Sequence, residues 1–171
     1  CGDTILNENA FDHYIANAKR SVALPGSVEF TNLVHKLGGY VSLVSNRDGT
    51  FKDDSGSVLE ATIANLKDQK VFFDQVVLTN GRDSEMPNNK NPRFAAIISG
   101  NYDSSQMVWS KPLPAHKVIA YFGDNIQDFP KLKQGTVNAL DGNDPVFKTF
   151  GNGYFILPNP VYGSWQNNDY K

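Results

Sequence analysis

The chain has 171 residues and a formal net charge of −2, and 40% of its residues are hydrophobic. This length suits one domain, and that hydrophobic content can fill a core. The small net charge, without a basic stripe that carries interleaved aromatic residues, argues against a nucleic acid polymer as partner. No apolar run is long enough to span a bilayer. We therefore expect a single domain over residues 1–171.

Cys1 is the only cysteine, so no disulfide can form within the chain. Its position has two interpretations. Cys1 is either the lipid-bearing first residue of a processed bacterial lipoprotein or simply the point where the chain was cut. A lipid anchor at Cys1 is thus one of two expectations.

The first predicted elements are two helices. Apolar residues recur at helical spacing over residues 11–18. After Pro25-Gly26, Ser27 is predicted to cap a second helix that ends at Gly38-Gly39. Its apolar face carries Phe30, Leu33, Val34 and Leu37. That spacing predicts a helix with one side against the core.

The middle of the chain alternates between strand and helix. Residues 40–45 read as a short buried strand, and a polar loop follows over residues 46–54. An amphipathic helix carries Val58, Leu59, Ile63 and Leu66, and the next strand covers residues 76–78. A polar loop over residues 79–92 comes next.

The last third repeats this alternation. A helix carries Phe94, Ile97 and Ile98, and a strand covers residues 117–122. Residues 126–132 look helical, and residues 154–157 form a last strand. Strands separated by helices predict an α/β fold with a parallel, Rossmann-like sheet and helices on both faces.

Two groups of polar residues are candidates for phosphate chemistry. Open α/β sheets bind ligands at the carboxyl ends of their strands. Ser45, Asn46 and Arg47 follow the predicted strand and offer a hydroxyl, an amide and a guanidinium to phosphate oxygens. An ordinary polar strand end is the alternative. Lys90 could offset charge on a transferring phosphoryl group, or it is a solvated surface lysine.

A third candidate group is a pair of carboxylates. The strand over residues 117–122 leads into Gly123, and then Asp124 and Asp128 follow four residues apart. This arrangement suits a hard cation such as Mg²⁺. Gly-Asp-Asn is also an ordinary turn sequence, which is the alternative.

Five segments, in chain order, carry a family resemblance. They are Leu24-Pro-Gly-Ser-Val-Glu-Phe30, Val44-Ser-Asn-Arg47, Asn89-Lys-Asn-Pro-Arg-Phe94, Gly123-Asp-Asn-Ile-Gln-Asp-Phe129 and the closing segment from Phe150 to Trp165. Together they resemble the class C acid phosphatases of the haloacid dehalogenase superfamily, which include outer-membrane lipoproteins. The resemblance runs from about Ala10 to Trp165 and implies the fold of that superfamily.

The resemblance also implies a mechanism. In this family an aspartate carboxylate attacks a metal-bound phosphomonoester, and water then hydrolyses the aspartyl-phosphate. A second aspartate, two residues further on, protonates the leaving alcohol. The resemblance thus implies a phosphomonoesterase that acts on small molecules, with nucleotides among the candidates, and that needs Mg²⁺.

Roles of individual residues follow from the matched motifs. Ser45 would hold the phosphate, and Lys90 would stabilise the pentavalent charge. Asp124 would bind Mg²⁺, and Asp128 would support the metal directly or through its neighbours. Asn46 and Arg47 would line the same pocket.

The N-terminal motif departs from the family pattern. The family reads Asp-x-Asp-Glu-Thr, whereas this chain opens Cys1-Gly-Asp-Thr-Ile-Leu-Asn7. Alignment on Thr4 places the nucleophile before Cys1, and a slip of one residue places Cys1 itself at that position. Neither alignment supplies both carboxylates, and no residues here could form the first central strand. The missing part lies upstream, or the chain has lost it, or another segment replaces it.

Two functions follow as hypotheses. The first is a Mg²⁺-dependent acid phosphatase in the bacterial periplasm, anchored to the outer membrane or secreted. The second is an inactive family member that binds a phosphorylated ligand or serves as a surface antigen or adhesin. The sequence gives no indication of an oligomeric state.

Overall fold

The computed structural model describes residues 21–81 and 89–159. The predicted helix over residues 11–18, the proposed anchor at Cys1 and the N-terminal motif lie outside these ranges. The same holds for part of the predicted loop over residues 79–92 and for the end of the closing segment.

Within residues 21–81 and 89–159, seven strands form three small sheets. The strands are β1 (Ser42–Asp48), β2 (Lys52–Asp53), β3 (Gly56–Ser57), β4 (Gln75–Thr79), β5 (Met107–Trp109), β6 (Tyr121–Gly123) and β7 (Tyr154–Ile156). The largest sheet has the order β1-β4-β5, in which β1 and β4 are parallel and β5 is antiparallel to β4. β6 and β7 form a parallel pair, and β2 and β3 form a short hairpin.

The described part of the chain also contains four α-helices. They are α1 (Ser27–Lys36), α2 (Val58–Asp68), α3 (Asn91–Ser99) and the single turn α4 (Gln134–Val137). Two 3₁₀ segments, Ile126–Asp128 and Pro145–Thr149, complete the described elements. In the described residues, no helix combines the length and the apolar character needed to cross a membrane.

The core is built on both faces of β4. All five residues of this strand are buried. Val76 and Leu78 pack with Val58 and the apolar side of α2, whereas Val77 packs with Ala96 and Ile97 of α3. Alternate residues of a strand point to opposite faces. The three-stranded sheet therefore has one helix on each face, as the α/β prediction requires.

The predicted single parallel sheet is confirmed only in part. Parallel pairing joins β1 with β4 and β6 with β7, but β5 introduces an antiparallel edge. The sequence prediction missed β5 because three residues are too short a run to give a periodic signal. The structure thus shows an α/β protein whose described strands form a mixed sheet and a separate parallel pair.

The strand after α1 extends further than predicted. β1 runs to Asp48, so Asn46 and Arg47 belong to a strand and not to the predicted loop. Asp48 Oδ1 accepts hydrogen bonds from Thr50 N at 2.8 Å and from Gly81 N at 3.1 Å. These bonds tie the end of β1 to the end of β4, which prolongs the strand past the last apolar residue.

Two predicted elements around Gly123 are shorter than expected. The strand predicted for residues 117–122 is reduced to β6, and the helix predicted for residues 126–132 is only the 3₁₀ turn Ile126–Asp128. Only Phe129 separates that turn from Pro130, and proline disfavours helical backbone in the residue before it. The helical prediction was wrong for this reason.

Two expectations for α1 are also wrong. The N-cap is Gly26, with φ of 82°, and no side chain caps the helix, so Ser27 is its first residue. On the predicted core face, Phe30, Leu33 and Leu37 are 44%, 53% and 78% exposed. The residue that α1 buries is Thr31, whose hydroxyl donates to Ser27 O and accepts from Phe72 N. The Thr31 hydroxyl thus anchors this helix, and Phe30 of the apolar stripe packs its ring against Phe122 at 4.9 Å between centroids.

Candidate active site

Lys90 and Asp128 form the centre of the candidate site. Lys90 precedes α3, and its Nζ lies 2.5 Å from Asp128 Oδ1. The two side chains are only 14% and 11% exposed. A pair so well shielded from water keeps most of its electrostatic attraction. The start of α3 is therefore fixed to the turn that follows β6.

Asp128 is held on its other oxygen by the backbone. Its Oδ2 accepts hydrogen bonds from Asp124 N and Asn125 N, each at 3.0 Å. Asn125 Oδ1 in turn accepts from Gln127 N at 3.0 Å. This reciprocal arrangement is a capping box. Both oxygens of Asp128 are thus engaged, and its orientation is fixed from both ends of the turn.

Gly123 makes the close approach of Asp128 to β6 possible. A Cβ atom at this position would lie 2.3 Å from Asp128 Cβ and 2.6 Å from Asp128 Oδ2. Any other residue would push the carboxylate away from the backbone amides that it accepts from. The glycine of the Gly-Asp-Asn sequence is therefore required by packing against Asp128.

Asp124 follows β6, and its carboxylate contacts a side-chain amide that is far away in sequence but close in space. Its Oδ2 accepts a hydrogen bond from Asn159 Nδ2 at 2.6 Å. Asn159 belongs to the segment after β7, the parallel partner of β6. The two strand ends therefore meet at Asp124, as expected for parallel neighbours.

The polar residues of β1 divide between the two faces of the sheet. Asn46 Oδ1 accepts a short hydrogen bond from Arg93 Nη2 of α3. Arg47 Nη1 donates to Thr62 Oγ1 of α2 at 3.0 Å, and Arg47 N donates to Ser45 Oγ at 3.3 Å. Asn46 is thus joined to the helix that Lys90 begins, whereas the Arg47 guanidinium contacts the opposite helix.

The described contacts bring most of the predicted site residues into one network. Lys90, Asp128 and Asp124 are connected directly, and Asn46 joins them through α3. Ser45 precedes Asn46 in β1, but the described contact of its hydroxyl is with Arg47 N and not with this group. Arg47 is the predicted site residue with a described side-chain contact directed away from this group.

Sequence reasoning assigned no role to Arg93 or Asn159. Arg93 is 2% exposed, and burial lowers the pKa of its guanidinium to about 10. Its spacing of three residues from Lys90 was visible in the sequence as one helical turn. Asn159 is 35 residues from Asp124, and no local pattern connects the two.

The residues present fit a magnesium ion held mainly by its substrate. The described ranges contain no cluster of three or more histidine, cysteine, aspartate or glutamate side chains that could hold a metal. Mg²⁺ usually takes one or two protein carboxylates together with phosphate oxygens and water. Asp124 fits that role because hydrogen bonding engages only one of its oxygens in the described structure. Asp128 fits a supporting role because both its oxygens already have donors.

The fold and the site together define an α/β protein with acidic and basic side chains gathered near its strand ends. A family model described as HAD superfamily, subfamily IIIB (Acid phosphatase) matches residues 1–165. The chain therefore belongs to this family, which confirms the resemblance found in the sequence. No solved structure matches the chain.

Proposed function

We propose that this protein is a Mg²⁺-dependent acid phosphatase that hydrolyses small phosphomonoesters, with nucleotides among its candidate substrates. Membership of an acid phosphatase family supports the reaction class. The observation that carries the proposal for this chain is the network of Lys90, Asp128 and Asp124. It joins the cation and the carboxylates that phosphoryl transfer needs.

Lys90 would stabilise the charge that develops on the transferring phosphoryl group. Its ammonium is a compact cation, and Asp128 holds it in place at 2.5 Å. A preoriented charge in a shielded site needs little reorganisation when the transition state forms. Asp128 is then a positioning residue for Lys90 and for the Asp124 backbone.

Asp124 would hold the metal, and Ser45 and Asn46 would bind phosphate oxygens from β1. When bound, Mg²⁺ neutralises phosphate oxygens and helps to orient the ester. Arg47 is part of the proposed pocket through its backbone amide, which donates to Ser45 Oγ. Under these assignments a phosphate anion and a hard cation would share these donor and acceptor groups.

The chemical step that forms an aspartyl-phosphate is also part of the proposal. The carboxylate that attacks phosphorus in this family belongs to the motif that residues 1–7 match only in part, outside the described ranges. The same departure favours a second candidate, a family member that binds a phosphorylated ligand without turnover. A single domain and a location in the bacterial periplasm, anchored or secreted, complete the proposal.

Hydrolysis of p-nitrophenyl phosphate tests the proposal. The protein, with any native upstream residues included, should hydrolyse this ester at acidic pH with Mg²⁺ and stop when a chelator removes the metal. Asp124→Ala should abolish turnover, whereas Asp54→Ala, at an exposed turn position, should not. Full activity in Asp124→Ala would overturn the metal assignment. Nucleotide binding by calorimetry without turnover would favour the second candidate.

A further inference from the structure

Arg93 is a buried cation that no described carboxylate neutralises. Its side chain is 2% exposed, and its polar contact is the hydrogen bond from Nη2 to Asn46 Oδ1. Arg93 Nε is buried without a hydrogen-bond partner, and no described carboxylate forms an ion pair with the guanidinium. By contrast, Lys90, one helical turn earlier, forms an ion pair with Asp128.

An unpaired buried charge is unfavourable unless a ligand compensates it. Removing a charged group from water without a partner of opposite sign carries a large free-energy penalty. Burial lowers the pKa of Arg93 to about 10, so the guanidinium still carries its charge at acidic and neutral pH. An anion that binds near α3 would offset this penalty, because its own charge would be attracted by the guanidinium.

Arg93 also fixes the direction of the Asn46 amide. A guanidinium has donors and no acceptor, so Asn46 must turn its oxygen to Arg93. The Asn46 oxygen, which would repel a bound anion, is therefore directed at α3.

We propose that Arg93 supplies the net positive charge of the anion site and keeps the Asn46 oxygen turned away from a bound phosphate group. The inference rests on the proposed phosphate site and adds to it the residue that sets the affinity for the anion. Arg93 acts through its charge and through Asn46, so it is a positioning residue. Lys90 is already paired with Asp128 in the described structure, and its role is to stabilise charge in the transition state.

Titration of inorganic phosphate into the full chain tests this inference. Arg93→Gln removes the charge and keeps a polar side chain, whereas Arg93→Lys keeps the charge. We expect the Kd for phosphate, measured by calorimetry, to rise at least about tenfold in Arg93→Gln. In Arg93→Lys the rise should stay within about threefold, since the charge remains although the fork geometry is lost.

The Kd values of Arg93→Gln and Arg93→Lys distinguish a role of the charge from a purely structural role. A Kd in folded Arg93→Gln within about twofold of the wild-type value, or equal values in both variants, would show a purely structural role. Where Arg93→Gln does not fold, Arg93→Met provides a second neutral side chain. If neither neutral variant folds, loss of phosphate binding in folded Arg93→Lys would overturn the inference, and retained binding would support it.

Phosphate binding through Arg93 and hydrolysis of esters can be tested separately. Wild-type protein that binds phosphate through Arg93 but hydrolyses no ester would remove the phosphatase proposal and keep this inference. Wild-type protein that fails to bind phosphate would remove the inference even if esters are hydrolysed. In an active enzyme, Arg93→Gln should raise KM more than it lowers kcat, which a loss of stability alone would not do.

Discussion

Lys90 and Asp128 are 38 positions apart in the chain, yet Lys90 Nζ and Asp128 Oδ1 lie 2.5 Å from each other. Their bond connects the start of α3 with the turn after β6. Since α3 packs on the three-stranded sheet and β6 belongs to the separate parallel pair, the ion pair links the two parts of the described structure. The same two side chains are central to the proposed chemistry.

Loss of either partner should destabilise the protein. Lys90→Met leaves the buried Asp128 carboxylate without its cation, and breaking such a pair lowers the free energy of unfolding by roughly 3 kcal/mol. Asp128→Asn should have a similar effect, and the double variant should lose less than the sum. Denaturant titration of all four proteins gives the coupling energy, which we expect to exceed about 1 kcal/mol.

Lys133→Met is the matched control for this cycle, because Lys133 is exposed and precedes α4. Its free energy of unfolding should stay within about 0.5 kcal/mol of the wild-type value. Additive effects of Lys90→Met and Asp128→Asn would mean that the two side chains do not interact in solution.

Gly123→Ala should displace Asp128. The new Cβ would lie 2.3 Å from Asp128 Cβ, and this contact can be relieved only by moving the carboxylate or the strand. We expect a loss of stability of about 1–3 kcal/mol from overpacking. We also expect a marked loss of p-nitrophenyl phosphate hydrolysis, because the carboxylate no longer holds Lys90.

Gly135→Ala tests whether the effect is local. An added Cβ at Gly135 would meet no atom within 4 Å, and the residue lies in α4. Alanine favours helix over glycine, so this variant should be at least as stable as the wild type. Equal stability and activity in both glycine variants would show that Gly123 tolerates a side chain and that Asp128 is not packed against it.

The sequence predicted the elements whose apolar residues recur at regular spacing. α2 and β4 were found because their apolar residues recur regularly and because β4 is buried on both faces. α3 was found from Phe94 and Ile97, both of which are buried. β5 and the hairpin of β2 and β3 were missed, since two or three residues carry no period.

Site residues that lie close together in sequence were predictable, whereas contacts between residues far apart in sequence were not. The spacing of Asp124 and Asp128 marked a polar strand end before any fold was known. Arg93 needed the fold, because Asn46, its partner, is 47 residues away. The direction of Arg47 towards α2 also needed the fold, since only the alternation along β1 separates it from Asn46.

Asp48→Ala should loosen the ends of β1 and β4. Asp48 Oδ1 accepts from Thr50 N, Thr50 Oγ1 and Gly81 N at 2.8, 2.6 and 3.1 Å. Without the carboxylate these donors lose their acceptor, which lowers the free energy of unfolding by about 1–3 kcal/mol. Asp48→Asn keeps one acceptor oxygen and should lose less. Denaturant titration gives both values, and a loss in Asp48→Asn equal to that in Asp48→Ala would contradict the assigned hydrogen bonds.

Tyr121 should limit the stability of the protein at alkaline pH. Burial first, and the nearby Tyr154 second, raise the pKa of the Tyr121 phenol. Phe94 and Tyr154 both pack edge-on against its ring. The folded state therefore favours the neutral phenol, whereas the unfolded chain ionises near pH 10. The stability that this group contributes is present below about pH 10 and is lost as the pH rises through the raised pKa of the folded state.

Tyr121→Phe removes this dependence because phenylalanine does not ionise. Denaturant titrations on either side of pH 10 should show a smaller alkaline loss of stability in Tyr121→Phe than in the wild type, with Tyr40→Phe, at an exposed position, as the matched control. Burial also raises the pKa of Tyr154, so the variant that replaces both tyrosines should lose still less. An alkaline loss in Tyr121→Phe as steep as in the wild type would show that the phenol is not shielded by Phe94 and Tyr154, and that other groups govern unfolding in this range.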